Sequence, residues 1–425
     1  MMEKTGNSAS DRAIGPERNG ADDRLYGRVA DKAKWTVMVY MAGDNNLDGA
    51  ALRDIEEMAQ AGSTKDVNCL VQLDRLEDKQ TRRFRITKGG GYDRDCLETF
   101  GETNTGDPKI LEDFLKWSIE RYPAERYFLI LWNHGSGWWE EARSRAMAPN
   151  ASDVKSRRSG PRVSLFRHNP DPSGHNTHRS ICYDDTSGGD ALDNRELKDV
   201  LAQACTVIGK KIDLLGMDAC LMTMVEVAWQ LRDSVDYIVG SEIEEPNDGW
   251  PYTDILTWLT KTPKKDAAAV ARTVVSRYIR SYKEMDETVT QSALDLNQID
   301  AVKDKIDALA EILIASLDSA ADLIGKAWDT SPKFYDDNYI DLACFARKLR
   351  KKTYPDIKAK AEDLLASLKA GKSKSIRCKS KIGKELNGTC GLSIYFPEDW
   401  INPAYSSLGF ARDCKWGEFL EAYLS

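Results

Sequence analysis

Residues 129–139 read LILWNHGSGWW, an apolar run that stops abruptly at His134 and Gly135. A short continuous apolar run bounded by glycine predicts a strand that is buried on both faces, as in a parallel sheet. The histidine after this strand is informative because the chain holds only four histidines. The stretch therefore predicts a parallel sheet with a polar side chain at the end of one strand.

A second apolar run has the same form. Residues 212–222 read IDLLGMDACLM, and the run ends in Asp218, Ala219 and Cys220. The carboxyl ends of parallel strands meet at one edge of the sheet, and ligands bind there, near the switch in strand order. We therefore expect His134 and Cys220 to lie at the same edge.

Strand patterns alternate with helix patterns through the first 250 residues. Apolar runs predict strands at KWTVMVYMAG (34–43), NCLVQLDR (68–75), RYFLILWNHG (126–135), KIDLLGMDAC (211–220) and YIVGSEIEE (237–245). Apolar residues at helical spacing predict helices within 44–62, 108–123, 194–205 and 221–235. This alternation predicts an α/β fold, a mainly parallel sheet flanked by helices on both faces.

The chain divides into segments of different composition. Residues 1–32 are polar and lack periodicity, so we predict a disordered leader. A catalytic-type α/β core spans 33–255, interrupted by a flexible insert at 140–180 whose eight Lys or Arg outnumber its four Asp or Glu. Residues 256–425 are predicted to be a mostly helical C-terminal addition with a returning strand at 391–397.

Composition limits the class of protein. A net charge of −8 and a pI near 5.4 argue against a nucleic-acid binder. No window reaches the ~18 apolar residues of a membrane helix, and no secretory signal is visible at the N-terminus. We therefore predict no membrane association and a cytoplasmic protein, with secretion as the alternative and the oligomeric state left open. The nine cysteines include no CxxC pair that would indicate zinc or dithiol redox chemistry.

A thiol and an imidazole at one sheet edge suggest nucleophilic chemistry. The imidazole of His134 can accept the proton of Cys220, and a helix beginning directly after Cys220 would favour the thiolate. Gly135 leaves its backbone N–H accessible, as stabilisation of a developing oxyanion requires. The alternative is a core cysteine and a hydrogen-bonded structural histidine, which the two motifs alone do not exclude.

Six segments in order resemble the clostripain family of cysteine peptidases, within the clan of caspases and gingipains. They are TVMVYMAGDNNLD, LILWNHGSGW, YDDTSGGDALDNREL, DLLGMDACLMTMVEVAWQL, GSEIEEPNDGWPY and GLSIYFP. The resemblance covers most of the chain from Trp35 onward and leaves out the leader and the insert. It implies a caspase-like fold and a cysteine endopeptidase that cleaves after Arg or Lys.

The resemblance also implies roles for individual residues. Cys220 matches the nucleophile and His134 the catalytic histidine, with Gly135 as an oxyanion donor. Asp218 and Asp248 match acids of a pocket for a basic side chain, where charge-assisted hydrogen bonds contribute about 1.5–3 kcal/mol each. A strand-end cap at Asp218 and an Asn-Asp-Gly turn at Asp248 are the structural alternatives.

Family members are often precursors that cut themselves after a basic residue between the histidine and the cysteine. We predict self-cleavage between Glu140 and Arg179. The candidates are Arg143, Arg145, Arg157, Arg158, Arg162, Arg167 and Arg179.

No cofactor is required for the predicted chemistry, and no metal ligand is assigned. Calcium is possible by family resemblance, and the oxygen-rich segments GDNNLD (43–48) and YDDTSGGD (183–190) are candidates to bind it, although loop capping explains both equally well. His175 and His178 lie three residues apart within the insert, and we expect no zinc site there.

Three other functions fit the sequence less well. A cysteine phosphatase needs an arginine six residues after its nucleophile, where this chain has Glu226. A nucleotide-binding protein needs a glycine-rich turn that MAGDNNLDG lacks. The remaining alternative is a catalytically weak or inactive caspase-like module that binds basic peptides or partner proteins.

Overall fold

The computed structural model describes residues 32–140, 179–335 and 337–425. Within them, nine strands form a sheet with the order β14-β11-β10-β9-β5-β1-β2-β3-β4. These strands are β1 (Ala33–Gly43), β2 (Val67–Arg75), β3 (Gln80–Arg85), β4 (Cys96–Thr99), β5 (Ala124–Trp132), β9 (Ile212–Asp218), β10 (Val235–Gly240), β11 (Val289–Asp295) and β14 (Ile376–Ile382).

The centre of this sheet is parallel and its two margins are antiparallel. Parallel pairing joins β10, β9, β5, β1 and β2. Antiparallel pairing adds β3 and β4 on one side and β11 and β14 on the other. All nine residues of β2 are buried, because helices cover both faces of the sheet. The chain leaves β1 in one direction and later returns on its other side with β5, so the switch in strand order lies between these two strands.

Twelve α-helices lie in the described part of the chain. They are α1 (Asp48–Ala61), α2 (Pro108–Arg121), α3 (Asn194–Ile208), α4 (Val225–Leu231), α5 (Tyr252–Lys261), α6 (Ala267–Ser281), α7 (Ile299–Ala315), α8 (Leu317–Asp329), α9 (Leu342–Lys348), α10 (Pro355–Ser367), α11 (Gly409–Asp413) and α12 (Trp416–Leu424). Asp107 caps α2 ahead of Pro108, and Asp193 with Glu196 forms a capping box at α3. The first helices pack in pairs, α1 beside α5 and α2 beside α3.

Two small sheets lie beside the central sheet in the described ranges. One contains β6 (Gly135–Glu140), β7 (Arg179–Asp184) and β8 (Asp190–Leu192), and the other contains β12 (Lys333–Phe334), β13 (Tyr339–Asp341) and β15 (Ser393–Tyr395). They meet near the end of β5, where the Tyr339 hydroxyl donates to the Ser136 carbonyl at 2.7 Å.

The α/β fold with a mainly parallel sheet is confirmed, with differences in detail. The five predicted strands are present to within a few residues, except that β10 ends at Gly240 rather than continuing through 245. The C-terminal region is not only helical, because β11 and β14 extend the central sheet. The returning strand predicted at 391–397 is β15. The predicted leader at 1–32, apart from its last residue, and most of the predicted insert lie outside the described residues. Within the described ranges, no helix is both long and apolar enough to cross a membrane.

Candidate active site

His134 and Cys220 follow neighbouring central strands at the same edge of the sheet. β5 and β9 pair in parallel with Trp132 opposite Asp218, and each of the two side chains lies two positions beyond that pair. The Asn133 N–H also donates to the Asp218 carbonyl at 3.3 Å. Both His134 and Cys220 are 1% exposed. The structure thus brings together the two residues that the sequence motifs singled out.

Gly135 lies directly against the backbone of Cys220. A Cβ at position 135 would lie 2.5 Å from the Cys220 carbonyl oxygen and 3.2 Å from its nitrogen. Both distances are inside the ~3.5–4.0 Å of favourable carbon contacts. Glycine is therefore the residue that allows the His134 and Cys220 segments to approach this closely, which is a structural reason for the His-Gly motif.

Asn46 orients the imidazole of His134. The Nε2 of His134 lies 2.6 Å from Oδ1 of Asn46. An amide oxygen only accepts hydrogen bonds, so this contact assigns the ring proton to Nε2. The other nitrogen, Nδ1, is then the one that can accept a proton. A third group of this kind fixes the tautomer and orientation of a catalytic base.

The loop that carries Asn46 is tied to β7. The side chain of Asn45 donates to the Tyr183 carbonyl at 2.9 Å. The Asp185 N–H donates to the Asp44 carbonyl at 2.8 Å. These contacts cross from the end of β1 to the end of β7, so they limit the movement of Asn46 relative to His134.

The thiol of Cys220 is buried, with acidic residues near it. Its Sγ accepts the Glu245 N–H at 3.2 Å. Burial raises the pKa of the Cys220 thiol well above its ordinary value, and this hydrogen bond only partly opposes the effect. Burial therefore favours the neutral thiol over the thiolate.

The chain leaves Cys220 in a strained conformation. Leu221 has φ 68°, a left-handed conformation that costs a non-glycine residue about 1–3 kcal/mol. The helix predicted to begin at 221 starts only at Val225, as α4. Because a helix dipole acts within about its first turn, the expected stabilisation of a Cys220 thiolate by this helix is not met.

Asp218 is fully buried beneath the loop that follows β10. Its Oδ2 accepts the Tyr252 hydroxyl at 2.7 Å and the Trp250 N–H at 3.3 Å. A Cβ on Gly249 would lie 3.3 Å from both carboxylate oxygens, so Gly249 covers this side chain closely. Burial raises the pKa of Asp218 to about 6, against the lowering effect of the Tyr252 hydrogen bond.

Asp248 and Glu245 line a cavity of about 1060 Å³ beside Cys220. Asp248 is exposed at this cavity, whereas Glu245 is 1% exposed. The carboxylate oxygens of Glu245 make no hydrogen bond of normal length in the described part of the chain, although the side chains of Asp218, Trp250 and Gln291 lie near enough to act on the carboxyl group. Burial raises the pKa of Glu245 well above its usual range, and the nearby charge of Asp218 raises it further. Of the two predicted pocket acids, Asp248 opens to the cavity, whereas Asp218 is buried and does not line it.

Four carboxylates converge at the ends of β1 and β2. Asp44, Asp74, Glu102 and Asp184 offer oxygens that all lie within 4.8 Å of one another. This cluster joins the two oxygen-rich segments noted in the sequence and adds Asp74 and Glu102. Burial raises the pKa of Asp74 to about 8. Burial, followed by the charge of Asp44, raises the pKa of Glu102 to about 7.

This acidic cluster suits a hard divalent cation such as calcium. Calcium binds carboxylate and carbonyl oxygens, and the cluster offers oxygen donors only. Within the described residues, Oδ1 of Asp44 and Oδ2 of Asp74 are buried without a hydrogen-bond partner. Such oxygens lose hydration with nothing in return, so the residues present fit a calcium ion.

The sequence motifs do not assign a role to two residues of the site, Asn46 and Glu245. Asn46 lies in the segment GDNNLD, which follows β1 at the switch in strand order, and that position could have suggested a site residue. Glu245 lies three positions before Asp248 in the segment GSEIEEPNDGW. Nothing in the spacing indicates that Glu245 is buried and contacts the thiol through its backbone.

A family model and a curated relative both match the sequence of this chain, and both point to the same family. The family model described as the clostripain family matches residues 39–153 and 168–423. The clostripain of Hathewaya histolytica is 30% identical over 253 residues, which are 52% of this chain and 41% of that protein. The chain therefore spans about two fifths of the length of this curated relative.

Solved structures share the fold. An inactive zymogen C11 protease from Parabacteroides distasonis has a TM-score of 0.63 at 19% identity and covers 91% of this chain and 99% of its own. A secreted C11 cysteine protease from Bacteroides thetaiotaomicron, solved with an irreversible peptide inhibitor, has a TM-score of 0.58 at 19% identity, with 92% and 99% covered.

Proposed function

The chain belongs to the clostripain family of cysteine peptidases, and from that premise we propose that it is an endopeptidase that cleaves after arginine, or lysine, with a dyad of His134 and Cys220. Membership of a peptidase family implies protein or peptide substrates. The preference for basic residues and the assignment of the dyad are the proposal. The observation that supports the dyad most directly is that the two side chains follow paired strands at one edge of the sheet.

In the proposed reaction the imidazole acts as a general base. Because burial favours the neutral form of the Cys220 thiol, its proton would pass to Nδ1 of His134 as sulfur attacks the substrate carbonyl carbon. The tetrahedral intermediate then expels the amine, which takes that proton, and leaves a thioester. Water attacks the thioester, gives its proton to His134, and the thiol is restored when the acid product leaves.

Backbone N–H groups would stabilise the oxyanion of each tetrahedral intermediate. The proposed donors are the N–H of Gly135 and that of Cys220, whose backbones lie against each other. Loss of one such donor typically costs about 10²–10³ in kcat. The absence of a side chain at Gly135 is consistent with this role, because a Cβ would also fill the space beside the nucleophile.

Specificity for a basic side chain is proposed to rest on Asp248 and Asp218. Asp248 is exposed at the cavity beside Cys220, where a guanidinium could reach it. Asp218 lies beneath Gly249, so it would act as the floor of the pocket. The buried carboxyl of Glu245 adds a third acidic group between Asp218 and the thiol.

Self-cleavage is proposed as the route to the active form. The candidate arginines of the basic insert lie outside the described residues, except for the backbone of Arg179 at the start of β7. A structural relative from Parabacteroides distasonis is described as an inactive zymogen, which supports a precursor form here. Mass spectrometry of purified wild-type protein would give the bond that is cut, and a single intact mass for an active preparation would refute the idea.

Calcium, if bound, would be held by the cluster of Asp44, Asp74, Glu102 and Asp184. It would neutralise crowded carboxylates and hold together the loops after β1 and β7. Those loops carry and support Asn46, which contacts His134. The ion would thus organise the site, while proton transfer and attack belong to His134 and Cys220.

The cellular location of the protein also belongs to the proposal. A structural relative from Bacteroides thetaiotaomicron is described as secreted, so export is the alternative to the cytoplasmic location predicted from the sequence. Fractionation of the producing cells separates the two.

Peptide substrates test the proposed function. The wild-type protein, with calcium and a reductant, should release chromophores from peptides that end in Arg or Lys, and Cys220→Ala should abolish this release. Cleavage of a matched peptide ending in Asp would overturn the pocket assignment. If no peptide is cleaved but basic peptides bind, the chain is the inactive binding module considered above.

A further inference from the structure

We propose that the cavity beside Cys220 contains a second acidic subsite, formed by Asp286, Glu287 and Glu385, which binds another basic side chain of the same substrate. The preferred substrates would then carry two basic residues close to the cleaved bond. This inference deepens the proposed function, because it takes cleavage after a basic residue as its premise.

The cavity lies next to the nucleophile, although Cys220 itself does not line it. Its inner end is formed by residues 243–248, a segment that contacts the nucleophile and the residue after it. The Glu245 N–H donates to Sγ of Cys220 at 3.2 Å, and the Leu221 N–H donates to the Ile243 carbonyl at 3.1 Å. A peptide whose scissile bond lies at Cys220 would therefore have neighbouring side chains within reach of this cavity.

The outer wall of the cavity comes from two segments that the proposed dyad and pocket do not use. Asp286 and Glu287 lie between α6 and β11, and Glu385 follows β14. All three residues are exposed. The Thr288 hydroxyl donates to the carboxylate of Glu385, which holds these segments together. Three carboxylates therefore face solvent along a wall separate from Asp248.

The opposing charge in this cavity is small. Lys333 is the one Lys or Arg among the described lining residues. Its ammonium donates to the Asp329 carbonyl at 2.8 Å and lies 4.2 Å from the ring centroid of Trp328. Its charge is thus engaged with α8. The carboxylates of the cavity outnumber it, so the cavity attracts cations.

The buried inner end of the cavity also points to a ligand. Glu245 is 1% exposed and lines the cavity. Its carboxylate oxygens make no hydrogen bond of normal length among the described residues, although the side chains of Asp218, Trp250 and Gln291 lie near enough to act on the carboxyl group. A buried carboxyl group without a short hydrogen bond costs free energy unless a donor approaches it. A basic side chain entering the cavity would supply such a donor.

The shape of the cavity suits the long stem of arginine or lysine. Met285 is 45% exposed at the cavity, although it is a large apolar side chain. Phe334 and Leu386 add apolar surface to the same lining. Arginine and lysine bury their methylene groups against apolar surface while the charged end stays near carboxylates. Acidic and apolar groups in one cavity fit that pairing better than a purely solvated acidic surface does.

Matched peptides test this subsite. Each peptide has one arginine at the cleaved bond and a second arginine at one of the two positions before it or the two after it. In its partner peptide citrulline, which has the same shape without the charge, replaces the second arginine. In the wild type, at least one position should show an Arg-to-citrulline ratio of kcat/KM of about tenfold, as expected for one charge-assisted hydrogen bond.

Two variants complete the test. In the double variant Asp286→Asn with Glu287→Gln the ratio should fall to about twofold or less, because only Glu385 of the three carboxylates remains and a single exposed ion pair contributes little. The matched control is Glu284→Gln, an exposed acid in the same segment that does not line the cavity, and it should keep the wild-type ratio. A ratio near one at every position in the wild type, or an unchanged ratio in the double variant, would overturn the second subsite.

Failure of the subsite and failure of the proposed function give different results. If single-arginine peptides are cleaved but a second arginine brings no gain, only the subsite is wrong. If no peptide is cleaved, calorimetric titration of Cys220→Ala with the paired-arginine and citrulline peptides still decides the question. Equal affinity for the two peptides would then refute the subsite.

Discussion

The Nε2 of His134 lies 2.6 Å from Oδ1 of Asn46, which makes the loop after β1 a partner of the site formed by β5 and β9. This relationship predicts that Asn46 positions the imidazole. Asn46→Ala should lower kcat about 10–100-fold, as for other residues that orient a catalytic group, and leave KM nearly unchanged.

The conservative variant separates positioning from mere stability. Asn46→Asp keeps an acceptor oxygen, so it should restore part of kcat. Its negative charge should also shift the acid limb of the pH–rate profile upward, because it stabilises the protonated imidazole. An exposed control, Asn387→Ala, should behave like wild type. If Asn46→Ala raised KM by as large a factor as it lowered kcat, the positioning role would be contradicted.

Gly135→Ala should impair the site through a steric clash. The added Cβ would lie 2.5 Å from the Cys220 carbonyl oxygen, so either segment must move, at a cost of about 1–3 kcal/mol. We expect a lower melting temperature and a strong loss of kcat. Gly101→Ala is the matched control, since nothing lies within 4 Å of a Cβ there. Full activity of Gly135→Ala would show that the close approach is not required.

Asp248→Asn should reduce selectivity for basic substrates. Loss of one carboxylate from the cavity should lower kcat/KM for an arginine peptide about tenfold and leave the citrulline analogue little changed. Asp93→Asn, at an exposed position, removes the same charge elsewhere. If arginine and citrulline peptides lose equally, Asp248 acts in the turn and not in recognition.

Glu226 predicts a pH dependence of stability. Its Oε1 accepts the Tyr395 N–H at 2.9 Å and the Tyr405 hydroxyl at 3.0 Å, and burial raises its pKa from 4.5 to about 7. A raised carboxyl pKa gives stability that is present below about pH 4.5 and is lost as pH rises through about 7.

The isosteric variant isolates this effect. Glu226→Gln keeps an oxygen for both donors but does not ionise. Its free energy of unfolding, relative to wild type, should therefore improve by up to about 2–3 kcal/mol between about pH 5 and pH 8. Denaturant unfolding at both pH values measures this difference. A difference independent of pH would show that Glu226 is ionised throughout.

Calcium should stabilise the folded protein through the acidic cluster. A ligand at 100 times its Kd adds about 2.7 kcal/mol to stability, so the melting temperature should rise with calcium and less with magnesium. Asp74→Asn should remove this rise. A melting temperature that does not respond to calcium in the wild type would contradict the site, whatever the activity.

The sequence predicts the fold well where apolar periodicity is strong. The strands ending near His134 and Cys220 are continuous apolar runs, and buried parallel strands have that signature. Apolar periodicity does not predict the antiparallel strands β3 and β14, because their sequences, QTRRFR and IRCKSKI, are rich in charged residues. Their charged residues belong to the margins of the sheet, where one side remains near solvent.

The site is predictable only in part, because its remaining contacts join distant segments. The His-Gly and Ala-Cys motifs mark strand ends, and adjacency of parallel strands then brings them together. The Asn46 contact depends on how the loop after β1 folds back, and the burial of Glu245 depends on the path after β10. The late start of α4 follows from the left-handed Leu221, which no helical propensity reveals.

The pairing of β6 with β7 governs what a cut in the insert would do. Gly135 lies opposite Ile181, and Glu140 opposite Arg179, so both borders of that segment remain anchored. In the central sheet, β5, which precedes the insert, pairs with β1 on one side and with β9 on the other. Because β9 follows the insert, this pairing joins the two pieces that a cut would produce. A nicked molecule would thus stay a single particle in native chromatography and separate into two polypeptides only in denaturant.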